Sequence, residues 1–122
     1  MNIRSLGSNT GNNGNGILRF EPSDKMIVYK SYMPFLKHGG VYVPTTNVYA
    51  IGNEVFVVAK LPDSSDYLPI AGKVVWVNQS KAVTRPAGIG IAFDDTPENA
   101  MIREKIEKCI VGMSSDVPTY TM

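Results

Sequence analysis

Two runs of alternating apolar residues, Glu54 to Leu61 (EVFVVAKL) and Leu68 to Asn78 (LPIAGKVVWVN), flank the turn-forming stretch Pro62-Asp63-Ser64-Ser65-Asp66. Successive side chains of a strand point to opposite faces, so this pattern commits the centre of the chain to a β-hairpin. The same period recurs on either side. Ile17 to Phe20 is a short strand, and Glu21-Pro22-Ser23-Asp24 is a turn. Met26 to Tyr32 (MIVYKSY) reads as the next strand, ended by Pro34, which has no N–H to give to a ladder. Gly40 to Pro44 follows, Thr45 to Gly52 is a loop, and Gly88 to Phe93 (GIGIAF) is the last strand. Together these predict a mainly β fold, a small six-stranded antiparallel barrel, because closure hides strand edges. Gly72, inside the longest run, predicts a bulge or sharp bend at a barrel corner.

One helix completes the fold. Asp95 or Thr96 can cap it, Pro97 fits its first position, and Glu98 suits the positive end of its dipole. Ile102, Ile106, Cys109, Ile110 and Met113 recur at helical spacing and form one apolar stripe. Residues 1–16, rich in Asn, Gly and Ser, cannot bury enough surface to offset their ordering entropy and read as a disordered leader. The domain then spans 17–113, and 114–122 (SSDVPTYTM) reads as a flexible tail.

A chain of 122 residues has room for a single core, and a net charge of +1 provides no general pull toward nucleic acid or anionic lipid. The basic residues are scattered rather than arranged in a stripe with aromatics, so no nucleic-acid partner is expected. The N-terminal stretch has no apolar core of the kind that marks a secretory signal, and Val55 to Ala59 is far too short to insert in a membrane. A cytoplasmic protein is expected. The single cysteine fits that compartment, and the sequon Asn78-Gln79-Ser80 is a chance match there.

Catalytic chemistry should leave a constellation of residues, and none is visible. His38 is the only histidine, so any Ser-His-Asp or Cys-His arrangement would have to be built on it alone. Cys109 lies on the apolar stripe and behaves there as a small hydrophobe. Asp94 and Asp95 adjoin the helix start as turn and capping residues. Without several His, Cys or clustered carboxylates no metal set is expected, and GIGIAF lacks the third glycine of a dinucleotide fingerprint. The chain reads as a non-enzyme without cofactor. What remains is Lys37-His38-Gly39-Gly40, which is either an anion-binding turn or a bend that lets a strand begin.

The order of elements, a Gly-initiated strand (GGVYV), a strand containing Gly72-Lys73-Val74-Val75-Trp76, and Gly88-Ile89-Gly90-Ile91-Ala92-Phe93 followed by a helix, resembles the PilZ family. That resemblance runs from about Ile17 to Met113. It implies a six-stranded barrel that in ligand-binding members holds cyclic di-GMP through two signatures. The first is R-x-x-x-R ahead of the barrel, where two guanidiniums grip phosphate and stack on guanine. Here Arg4 is followed four places on by Ser8, and Arg19 by Ser23, so the pair is missing. The second is [D/N]-x-S-x-x-G. With its glycine on Gly40, Phe35 takes the acid or amide position and Lys37 the serine position, so only the glycine survives.

Loss of both signatures, with Tyr32-Met33-Pro34-Phe35, Leu61-Pro62-Asp63-Ser64-Ser65 and Pro118-Thr119-Tyr120-Thr121-Met122, is similar to the branch of the family that serves the type IV pilus. The resemblance implies an adaptor for pilus assembly and twitching motility that does not itself bind cyclic di-GMP. Its implied partners are the extension ATPase PilB and the EAL-domain receptor FimX, with recruitment to the pilus machinery at the inner membrane. A second reading is a small cyclic di-GMP receptor using Lys37, Lys81 and Arg85; a third is an enzyme or an unrelated barrel. For partner contact the candidates are Tyr29, Tyr32, Met33 and Pro34, with Pro118, Tyr120 and Met122 in the tail. On a strand, alternation sets Ile27, Tyr29 and Ser31 against Val28, Lys30 and Tyr32, and Lys30 makes the latter the outer set. The resemblance favours an exposed Tyr29, which a bulge could turn outward; the alternative is a core aromatic.

Overall fold

The computed structural model describes residues 17–80, 85–113 and 118–121; the expected leader, Lys81 and Met122 lie outside them. The central hairpin is formed by β3 (Glu54–Ala59) and β4 (Leu68–Asn78), in register from Glu54↔Lys73 to Ala59↔Leu68. Its turn places Asp63 at φ 65, a left-handed conformation that Asp tolerates better than most residues. Val55, Val57 and Ala59 point inward from β3, and Glu54 and Phe56 point outward. Beyond β4, β5 (Gly88–Phe93) pairs antiparallel with it, and β2 (Gly40–Pro44) pairs antiparallel with β5.

On the far side, β1 (Ile17–Phe20) pairs with β3, and here the strands are parallel. The result is a five-stranded mixed sheet in the order β1-β3-β4-β5-β2, curled into a half-barrel whose edge strands approach without pairing. The expected six-stranded antiparallel barrel is corrected on both counts among the described residues. A parallel pair needs a long crossover, and the chain between β1 and β3 provides it.

Part of that crossover is the missing strand. Lys25–Ser31 is a helix, α1, and not the strand that MIVYKSY suggests. Asp24 caps it, its carboxylate accepting from the Ile27 N–H at 3.0 Å. Val28, Ser31 and Tyr32, spaced three and four apart, turn inward together, so Val28 and Tyr32 are core rather than outer residues. The bulge also sits elsewhere than at Gly72: the β4–β5 register shifts between Val74 and Trp76. Gly72 is needed for close approach instead, since a Cβ there would meet the Ala92 carbonyl oxygen at 2.4 Å.

The second helix, α2 (Pro97–Cys109), begins at a Thr96 cap whose hydroxyl accepts from the Asn99 N–H at 3.0 Å. Ile102 and Ile106 are buried, and Cys109 and Ile110 pack beside them. Asn99, polar but buried, donates to the carbonyls of Ala71 (2.9 Å) and Asp94 (3.0 Å), fixing the helix start to β4. The core lies between sheet and helices, with Val41, Val57, Ile70, Val74, Ile91, Val28 and Ile106 at its centre. Among the described residues no helix is long and apolar enough to cross a membrane.

Candidate interaction site

The segment joining α1 to β2 is a closed turn. The Met33 N–H donates to the Gly40 carbonyl at 2.9 Å and Gly39 N–H to Leu36 at 3.0 Å, while Tyr32 bridges to Val41. Both glycines serve the backbone. Gly39 has φ +80, a left-handed conformation that penalises any Cβ, and a Cβ there would lie 3.0 Å from Arg103 Nε. A Cβ on Gly40 would lie 2.4 Å from the Ile91 carbonyl oxygen of the neighbouring strand. The pair is a bend that starts β2.

Arg103 holds this turn from α2. Its Nη1 donates to the Lys37 carbonyl (3.0 Å), its Nη2 to the Pro34 carbonyl (3.4 Å), and its Nε to the Tyr32 hydroxyl (2.9 Å). Tyr32 in turn donates to Glu107 Oε2 at 2.5 Å, and Arg103 and Glu107, one helical turn apart, approach to 3.3 Å. Burial pushes the Tyr32 phenol up to about 12, helped by the hydrogen bond to Glu107 and opposed by Arg103. The phenol is therefore a neutral link between two charges. A plain side-chain clamp thus fixes the turn that displays Pro34, Phe35 and Lys37.

Phe35 is 47% exposed at the acid or amide position of the ligand motif, Lys37 is exposed at the serine position, and Gly40 is buried. No acidic or hydroxyl side chain stands at either variable position. Arg19 lies on the surface 3.0 Å from Glu21, and the residue four places after it is Ser23. His38 lies 3.8 Å from Asp95, with the Asp95 side chain largely in solvent. Lys37 and Arg85 stand at opposite ends of the β2–β5 ladder, and Arg85 Nη1 is bonded to the Tyr120 carbonyl at 2.8 Å. Burial pushes the Cys109 thiol up, away from the reactive thiolate.

A comparison with protein families matches the PilZ domain over residues 14–112. This chain belongs to the PilZ family. No curated protein matches it. PilZ domains generally bind cyclic di-GMP or act as adaptors and are typically non-catalytic; in this PilZ domain the turn of the second motif has its glycine, Gly40, with Phe35 and Lys37 at the other two positions.

The expected contact cluster is divided by the fold. Tyr29 is half-buried on α1, Pro34 is exposed, and Tyr32 and Met33 are buried, at 4% and 0% exposure. Tyr32 acts as a link in the clamp and Met33 as core, so the accessible members are Tyr29 and Pro34, joined by Phe35. In the tail, Pro118 is exposed but Tyr120 and Thr121 are docked and buried rather than free. Arg103 was not legible as part of this site. Its only signal is an i, i+4 partner, Glu107, beside the apolar stripe, which any solvated helix face would also show.

Proposed function

We propose that this PilZ domain is a non-catalytic adaptor of type IV pilus assembly and twitching motility. In this reading it links the extension ATPase PilB to FimX, works in the cytoplasm at the inner-membrane pilus machinery, and leaves cyclic di-GMP sensing to FimX. One observation carries the reading: the turn that would read a nucleotide presents Phe35 and Lys37 instead of an acid or amide and a hydroxyl. Two of its carbonyls, those of Pro34 and Lys37, are taken by Arg103. An exposed aromatic on a turn fixed from behind suits contact with a protein better than capture of a guanine base.

The contact with PilB is assigned to Tyr29, a half-exposed aromatic on α1, with Pro34 as its surface neighbour in sequence. The test is a pull-down of purified PilB with the unaltered chain and with Tyr29→Ala, alongside thermal melts of both. Loss of PilB capture and of twitching, with a melting curve close to the parent's, supports the assignment. Normal capture by a folded Tyr29→Ala protein defeats it.

A further inference from the structure

Residues 118–121 sit against the C-terminal end of α1. The Tyr120 N–H donates to the Lys30 carbonyl at 2.9 Å, and Arg85 Nη1 donates to the Tyr120 carbonyl at 2.8 Å. The Tyr120 ring packs on Tyr42, centroids 5.5 Å apart and planes inclined by 49°. The Lys30 carbonyl belongs to the last turn of α1, where a helix has no donor of its own to offer. Tyr42 is itself held, its hydroxyl donating to the Pro86 carbonyl at 2.5 Å. The seat therefore consists of a fixed acceptor, a cationic donor and an aromatic surface. These recognise main chain and one ring, which is how an extended peptide is read.

The present occupant fits incompletely. Among the described residues, the hydroxyls of Ser31, Thr119 and Thr121 are buried and meet no hydrogen-bond partner. Ser31 follows Lys30 in α1, and the two threonines flank Tyr120. A buried hydroxyl left unpaired gives up its bonds to water and gains none, so these three groups oppose docking. Among the described residues, the contacts that favour it centre on Tyr120: the bonds to Lys30 and Arg85 and the packing on Tyr42. We infer that this seat is a peptide-binding site occupied in cis by the chain's own C-terminal segment, and that it exchanges this segment for an extended, aromatic-bearing segment of a partner protein. Tethering keeps the cis segment at high effective concentration, so exchange favours a partner that pairs the buried hydroxyl of Ser31. The inference does not depend on the pilus assignment.

The probe is a fluorescein-labelled peptide with the sequence of residues 116–122, titrated by anisotropy into the full chain and its full-length Tyr120→Ala variant. The peptide should bind Tyr120→Ala at least tenfold more tightly than the parent, and adding Arg85→Ala should weaken that binding severalfold. Equal binding to parent and variant, or no binding to a Tyr120→Ala protein that melts cooperatively, overturns the proposal. If Tyr120→Ala does not fold, hydrogen exchange of the unaltered chain decides. A Tyr120 amide exchanging at least a hundredfold faster than that of Val57 shows release without unfolding and supports exchange. A smaller difference shows that the segment leaves only with the whole fold and overturns it.

Discussion

Alkaline titration of Tyr32 tests the clamp over the α1–β2 turn. The phenol is buried, donates to Glu107, and is raised from 10.0 to about 12. Between those values the folded protein holds a proton that the unfolded chain has lost. The group's contribution to stability is therefore complete below pH 10 and is lost as pH rises through about 12. The gap is worth about 2.7 kcal/mol, a large share of the roughly 5–15 kcal/mol that holds a domain together. Tyr120, also raised by burial, adds to the same fall, so the comparison needs a variant. In Tyr32→Phe, Arg103 and Glu107 keep each other at 3.3 Å, and the ring still fills its place in the core. Losing the hydroxyl should cost about 1–2 kcal/mol at pH 8. Urea unfolding at pH 8, 9, 10, 11 and 12 should show the parent's advantage shrinking above about pH 10 and gone before about pH 12. If parent and Tyr32→Phe lose stability in parallel, the phenol is not held as described.

Isothermal titration with cyclic di-GMP at micromolar concentrations should give no saturable heat; each missing charge-assisted hydrogen bond removes about 1.5–3 kcal/mol, so losing several abolishes micromolar affinity. Saturable heat, or a ligand-induced rise in melting temperature, would sink this expectation. Gly40→Ala should destabilise more than Gly39→Ala, because the first drives a Cβ into a strand carbonyl and the second meets the movable Arg103 side chain. Gly39→Ala should cost about 1–2 kcal/mol for its left-handed backbone, read from urea midpoints, and the reverse order would refute the geometry. Ile106→Asp puts an unpaired carboxylate at a fully buried position and should cost several kcal/mol, seen as a large fall in melting temperature. A variant that melts like the parent would mean that α2 is not docked on β4.

What could be read from the sequence was local. The β3–β4 hairpin is legible because alternation and a Pro-Asp-Ser turn lie within one short window, and α2 because Thr96, Pro97 and the isoleucine spacing agree. The α1 segment misleads because its 7 residues fit period two and the helical period equally well. The deciding signal was Asp24, which serves a turn and a helix cap alike. Neither the parallel pairing of β1 with β3 nor the clamp has a local signature. Arg103 and Tyr32 are 71 positions apart, and nothing near either residue names the other. The docking of Tyr120 on Lys30 and Tyr42 is hidden for the same reason.

The part Gly40 plays in the fold separates what this turn needs structurally from what it presents. Gly40 ends a motif that in ligand-binding PilZ domains also requires an acid or amide and a hydroxyl, yet its need here is independent of any nucleotide. A side chain would run into the Ile91 carbonyl oxygen, and the Gly40 carbonyl is required to close the turn on Met33. The fold therefore demands this glycine whether or not a ligand binds. Phe35 and Lys37 are under no such demand, since both project from the turn into solvent. A change at 35 or 37 therefore alters what the turn presents to solvent and leaves the strand entry intact, whereas a change at 40 would disturb the fold. Glycine alone at this turn is evidence for the fold; the side chains at 35 and 37 are the evidence about function.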